Sequence, residues 1–80
     1  MATDIVGDGK QIHIYIVSVD GIVETVTRSK DVAVSRFDSL IRQGQEITLE
    51  DRMIGVIASY QKDDDKDSPM FGRWQLYRDY

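Results

Sequence analysis

Apolar residues recur at nearly every second position from Gln11 to Arg28, QIHIYIVSVDGIVETVTR, and the pattern is interrupted only at Asp20-Gly21. Side chains on a strand alternate between faces, so Ile12, Ile14 and Ile16 share one face while His13, Tyr15, Val17 and Val19 share the other. Neither face is polar throughout, which predicts a strand within a sheet, one face against a core and the other at least half covered. Asp-Gly supplies the positive φ angles of a type I′ turn, whose twist matches that of the strands it joins. A second strand, Ile22 to Thr27, completes a hairpin.

The period then changes. Ala33, Phe37, Leu40 and Ile41, with Val34 at the margin, recur at i, i+4, i+7 and i+8, while Lys30, Ser35, Arg36, Asp38, Ser39 and Arg42 fall mostly on the opposite side. Ser29 is a good N-cap, Asp31 complements the dipole in the first turn, and Gly44 stands where a left-handed residue ends a helix. These signals predict a helix from about Lys30 to Gln43, its apolar stripe laid on the Ile12, Ile14 and Ile16 face of the hairpin.

Gln45 to Arg52, QEITLEDR, is read as an extended approach with a turn near Glu50 to Arg52, although Thr48 and Asp51 imitate a capping box. Met53 to Gln61, MIGVIASYQ, reads as the third main strand, with Gly55 marking a bulge or a close backbone approach. Lys62 to Gly72, KDDDKDSPMFG, is an acidic surface loop. Arg73 to Tyr80, RWQLYRDY, alternates again and reads as a last strand paired to the third, anchored by Trp74 and Leu76. The expected fold is α+β: one domain over residues 1–80, ββαββ, an antiparallel sheet of about four strands with one helix on one face. Residues 1–10 read as a flexible lead-in.

Composition narrows the function classes. Eighty residues leave room for one modest core. The absence of cysteine excludes disulfides, zinc–thiolate sites and a thiol nucleophile. Fourteen acidic against ten basic residues, a net charge of −4, leave the chain without the positive field that dominates nucleic-acid affinity, so direct nucleic-acid binding is disfavoured. No apolar run approaches the ~18–20 residues of a membrane span, and MATDIVGDGK lacks the order of a secretory signal, so the expected location is the cytoplasm.

Candidate chemistry is sparse. Gly7-Asp8-Gly9-Lys10 precedes a strand instead of following one, so it does not fit a phosphate-binding loop. Asp63, Asp65 and Asp67 match the first positions of a calcium loop, but Ser68 replaces the required Gly and Trp74 the final Glu. His13, the sole histidine, could serve a catalytic triad only with Asp20 or another carboxylate as its orienting partner, and reads as a structural, half-buried residue. Glu46, Glu50 and Asp51 read as solvated turn residues. No enzyme, cofactor or metal site is expected.

The surfaces are more informative. Arg73, Trp74, Tyr77, Arg78 and Tyr80 are of the residue types that dominate interface hot spots, with Trp74 favoured as core. Asp63, Asp64, Asp65 and Asp67 would steer the chain toward a protein partner with a basic surface. The expected partner-binding residues are therefore Asp63, Asp64, Asp65, Asp67, Arg73, Tyr77, Arg78 and Tyr80. The plan resembles that of many small adaptor and inhibitor modules, and the small acidic chain looks like phage-encoded accessory proteins that block host nucleic-acid enzymes. The leading expectation is thus a viral, non-enzymatic protein-binding module, an inhibitor or regulator. The alternatives are a subunit that homodimerises through a strand edge and a weak single-stranded nucleic-acid binder using the C-terminal strand.

Overall fold

Asp20 and Gly21 both take positive φ, 50° and 83°, and join Val19 to its partner Ile22 across the two-residue turn expected of Asp-Gly. This hairpin, β1 (Tyr15–Val19) and β2 (Ile22–Thr27), opens a computed structural model that describes residues 12–80. The expected lead-in, residues 1–10, lies outside the described residues.

The helix α1 (Lys30–Leu40) starts at Ser29, whose hydroxyl accepts from the Val32 N–H. It tightens to a 3-10 turn over Ile41–Gln43 and stops at Gly44, which takes φ 77°. This is the span expected from the caps and the apolar period.

Three further strands follow: β3 (Ile47–Asp51), β4 (Gly55–Lys62) and β5 (Trp74–Arg78). All pairs are antiparallel, and the sheet order is β2-β1-β3-β4-β5, so the two terminal hairpins join through β1 and β3. The sheet has five strands instead of about four, because Ile47–Asp51 within QEITLEDR forms a strand of its own. Ile47, Leu49 and Asp51 all point into the core, and that burial decides in favour of a strand over the capping-box alternative. Met53 and Ile54 belong to the β3–β4 turn, not to a strand, and β5 ends at Arg78.

The core consists of Tyr15, Val17, Ala33, Phe37, Leu40, Ile47, Leu49, Ile57 and Ala58. The helix therefore covers the Tyr15, Val17 and Val19 face of β1, which overturns the expectation that it covers Ile12, Ile14 and Ile16. The cross-strand registers give the reason. Val17 lies beside Thr25 and Leu49, with Ala58 next in line, whereas Ile16 lies beside Val26 and the carboxylate of Glu50. Only the first row is apolar enough at its centre to seat Phe37.

Two bulges shape the sheet. In β2, Thr25 opposes Val17 and Val23 opposes Ser18, leaving Glu24 unpaired. In β4, Ala58 opposes Leu49 and Val56 opposes Glu50, leaving Ile57 unpaired. Each extra residue turns toward α1: Ile57 is buried beside Ala58, and Glu24 forms an ion pair with Arg36 of the helix. The pair holds the Glu24 pKa down to about 2, chiefly through the hydrogen bond from Arg36.

Candidate protein-binding surface

Cross-strand partners in an antiparallel sheet share a face, so the registers define the side of the sheet opposite α1 row by row. One row runs Val26, Ile16, Glu50, Val56 across four strands. The next runs Val23, Ser18, Thr48, Ser59, Tyr77 across all five. Among the described residues no helix or strand covers this face. Val26 is 61% exposed, Val56 51% and Tyr77 49%. The face thus has one mainly apolar row, Val26 to Val56, and a polar end where Ser59 of β4 meets Tyr77 of β5.

At the polar end, Ser59, Gln61, Lys62, Asp64, Gln75 and Tyr77 are among the residues lining an open groove, together with Asp63. This brings three of the expected binding residues, Asp63, Asp64 and Tyr77, to one place. The other five are elsewhere. Arg78 lies on the α1 side, where it donates to Asp38 of the helix at 2.8 Å. The Tyr80 ring lies between Lys30 and Arg78, 5.8 and 5.9 Å from the two cationic groups. Its pKa is raised, first by burial and then by the nearby Asp38 charge, against Arg78. Arg73 sits at the base of the loop, its carbonyl accepting from the Asp63 N–H.

Asp65 and Asp67 stay in the loop, and the loop's carboxylates largely serve its own backbone. Asp63 Oδ1 accepts from the Asp65 N–H at 2.9 Å, and Asp63 Oδ2 accepts from the Ser68 hydroxyl at 2.7 Å. Asp65 Oδ1 in turn accepts from the Asp67 N–H at 3.0 Å. The Ser68 hydroxyl and then the Asp65 N–H hold the Asp63 carboxyl below its usual pKa, against partial burial. Asx turns of this kind order a loop from within, leaving Asp64 and Asp67 as the side chains free of these bonds. Among the described residues no group of His, Asp or Glu is placed to hold a metal ion.

The α1 side of β5 departs from expectation. Trp74 is 38% exposed instead of core, stacked on Tyr60 with ring centroids 4.9 Å apart, and Leu76 is exposed as well. The cause is reach. α1 lies over β1, β2 and β3 and ends short of β5, so the indole finds only a neighbouring ring on β4.

A polar pair joins the residues leading into β1 to the end of β3, where the β3–β4 turn begins. Asp51 is 2% exposed, which corrects its reading as a solvated turn residue. Its Oδ2 accepts from His13 Nδ1 at 2.7 Å and its Oδ1 from the Met53 N–H at 2.9 Å. Burial opposes the charge, but the Met53 N–H, the His13 ring and Lys30 together hold the Asp51 pKa below the ordinary carboxylate value. The partner of His13 is thus Asp51 and not Asp20, which instead accepts from the Glu46 N–H at 3.1 Å. Sequence reasoning had a usable signal here, since Asp51 continues the inward alternation of Ile47 and Leu49.

No helix among the described residues is long and apolar enough to cross a membrane. Comparisons with protein-family models, with curated proteins and with solved structures find no match.

Proposed function

We propose that this chain is a non-enzymatic protein-binding module that inhibits or regulates a larger, nucleic-acid-handling protein, and that the sheet face opposite α1 is its docking surface. The row Val26, Ile16, Glu50, Val56 carries the reading: apolar side chains flank a carboxylate on a face that no described element covers. An apolar patch rimmed by polar groups is the usual mark of a protein interaction site. At the other end of the face, Tyr77 and the groove beside it offer an aromatic anchor with hydrogen-bonding neighbours. The net charge of −4, with Glu50 and Asp64 on this side, favours a partner with a basic surface such as one that otherwise holds nucleic acid.

The test is affinity capture from a lysate, comparing the wild type with Val26→Glu/Val56→Glu and with Asp64→Asn/Asp67→Asn. Asp63 and Asp65 are left intact because they hold the loop. The first variant should lose the partner at every salt concentration. The second should weaken capture at low salt and converge on the wild type as ionic strength screens exposed charges beyond ~10 Å at about 0.1 M. Undiminished recovery by a folded Val26→Glu/Val56→Glu protein would remove this face as the docking surface.

A further inference from the structure

The two edges of the sheet differ. β2 is interrupted by the Glu24 bulge, a device that disfavours edge-to-edge pairing. β5 has neither bulge nor proline, and it pairs with β4 in unbroken register from Lys62↔Trp74 to Ala58↔Arg78.

The hydrogen-bond phase of β5 follows from its two ends. The Asp63 N–H donates to the Arg73 carbonyl at 2.9 Å and the Asp79 N–H to the Ile57 carbonyl at 2.8 Å. In an antiparallel ladder such pairs alternate, so the backbones of residues 73, 75, 77 and 79 face β4. Those of Trp74, Leu76 and Arg78 therefore face the free edge.

We infer that β5 pairs with the β5 of a second copy of this chain, antiparallel, about a two-fold axis through Leu76 and normal to the sheet. In this register the segment RWQLYRD, residues 73–79, is complementary to itself. Leu76 meets its own copy. Trp74 meets the partner copy's Arg78 on the α1 side, a cation and an indole across one hydrogen-bonded pair. Gln75 meets Tyr77 on the opposite face, and Arg73 meets Asp79 at each end, so every Arg gains an aromatic or acidic neighbour.

Sliding the register by two residues either way, which moves the axis by one to Gln75 or Tyr77, removes both Arg73–Asp79 pairs. The register is thus selected by charge as well as by backbone phase. The interface is small and gives a weak, reversible dimer with both helices on the same side of a continuous sheet. It uses the strand edge and leaves the row Val26, Ile16, Glu50, Val56 of the open face free, sharing with the docking surface proposed above only the Gln75 and Tyr77 end.

Sedimentation of the whole chain from about 10 µM to about 1 mM, the range suited to so small an interface, tests the pairing. The wild type should pass from monomer to dimer and no further. Arg73→Asp places like charges opposite each other twice per dimer and should raise the dissociation constant by roughly tenfold or more, since each cross-strand charge pair counts. Arg73→Asp/Asp79→Arg exchanges the charges and should restore the wild-type constant. Circular dichroism of each variant should match the wild type, because both side chains are exposed. A wild type that stays monomeric over the range, growth beyond a dimer, or a double variant as weak as the single one overturns the inference.

Discussion

Strands β2, β1 and β3 carry α1 on one face, whereas β5 lies beyond the helix, and the same alternating pattern has opposite consequences in the two places. On β1 and β3, Tyr15, Val17, Ile47 and Leu49 are buried. On β5, no residue is buried, although WQLYR is at least as aromatic as anything in the core. Alternation fixes which side chains share a face, but burial needs a second layer, and a single eleven-residue helix supplies it to only part of a five-stranded sheet. The bare hairpin is held instead by its ladder to β4, by the Tyr60–Trp74 stack and by the Arg78–Asp38 bond. Stability should therefore concentrate under α1, and binding capacity outside it.

The strongest way to break this comparison is to truncate one large side chain in each region. Phe37 is fully buried at the centre of the core, so Phe37→Ala should cost ~3–5 kcal/mol. That is a large share of what so small a domain has, and urea melts should show much of the variant unfolded before denaturant is added. Trp74→Ala loses an exposed stack and should cost about 1 kcal/mol. Equal costs would mean that the hairpin is part of the core after all.

A second test lies within the covered half, where buried charge and core meet at Asp51. Its pKa is depressed in the folded state, so the ionised form contributes stability above the ordinary carboxylate range, and the contribution is lost as pH falls. Glu24 behaves the same way, its contribution fading from about pH 4.5 toward its folded value of about 2. The wild type should lose stability progressively over that interval. Asp51→Asn should flatten the curve and weaken the protein at neutral pH, by less than Phe37→Ala, because the His13 ring and the Met53 N–H both lose a charged acceptor. A variant with an unchanged acid limb would show that His13 and Asp51 do not couple the turn to the residues leading into β1.

Much of the covered half was legible in the sequence. Ser29, Asp31 and Gly44 mark the helix with signals that are local in origin and act through hydrogen bonds one turn long, and Asp20-Gly21 marks its hairpin in the same way. Which face of β1 the helix covers was not legible, because Ile14 and Ile16 on one side and Tyr15 and Val17 on the other are equally apolar. The choice is made by cross-strand neighbours far away in sequence, Leu49 on one side and Glu50 on the other. The bulge in β4 falls at Ile57, two residues past the Gly55 read as its marker, which pairs with Asp51, and the one at Glu24 carries no local signature, yet each changes which side chains point inward. The candidate surface was half legible for the same reason. Tyr77, Asp63 and Asp64 stood out by residue type, whereas Ile16 was expected under the helix and Val26 and Val56 carried no signal of their own until the sheet order and the position of α1 showed all three on the uncovered side.

The smallest effect sharpens what holds the bare hairpin. Arg78 and Asp38 are each about two-fifths exposed, 40% and 39%, and such ion pairs contribute ~1 kcal/mol at most before solvent screening reduces it. Asp38→Ala should therefore shift the global urea midpoint only marginally. Yet this bond is the one side-chain link from β5 to the helix among the described hydrogen bonds, and the same carboxylate helps hold the Tyr80 pKa up. Its loss should appear locally, as faster amide exchange in Tyr77 and Asp79, whose N–H groups face β4, while the amides of β1 and β3 exchange at wild-type rates. Acceleration spread evenly over all five strands would mean that the hairpin and the covered half open as one unit. Acceleration confined to β5 would show that its ladder to β4 opens on its own, and that the free edge is presented by a segment less stable than the sheet it extends.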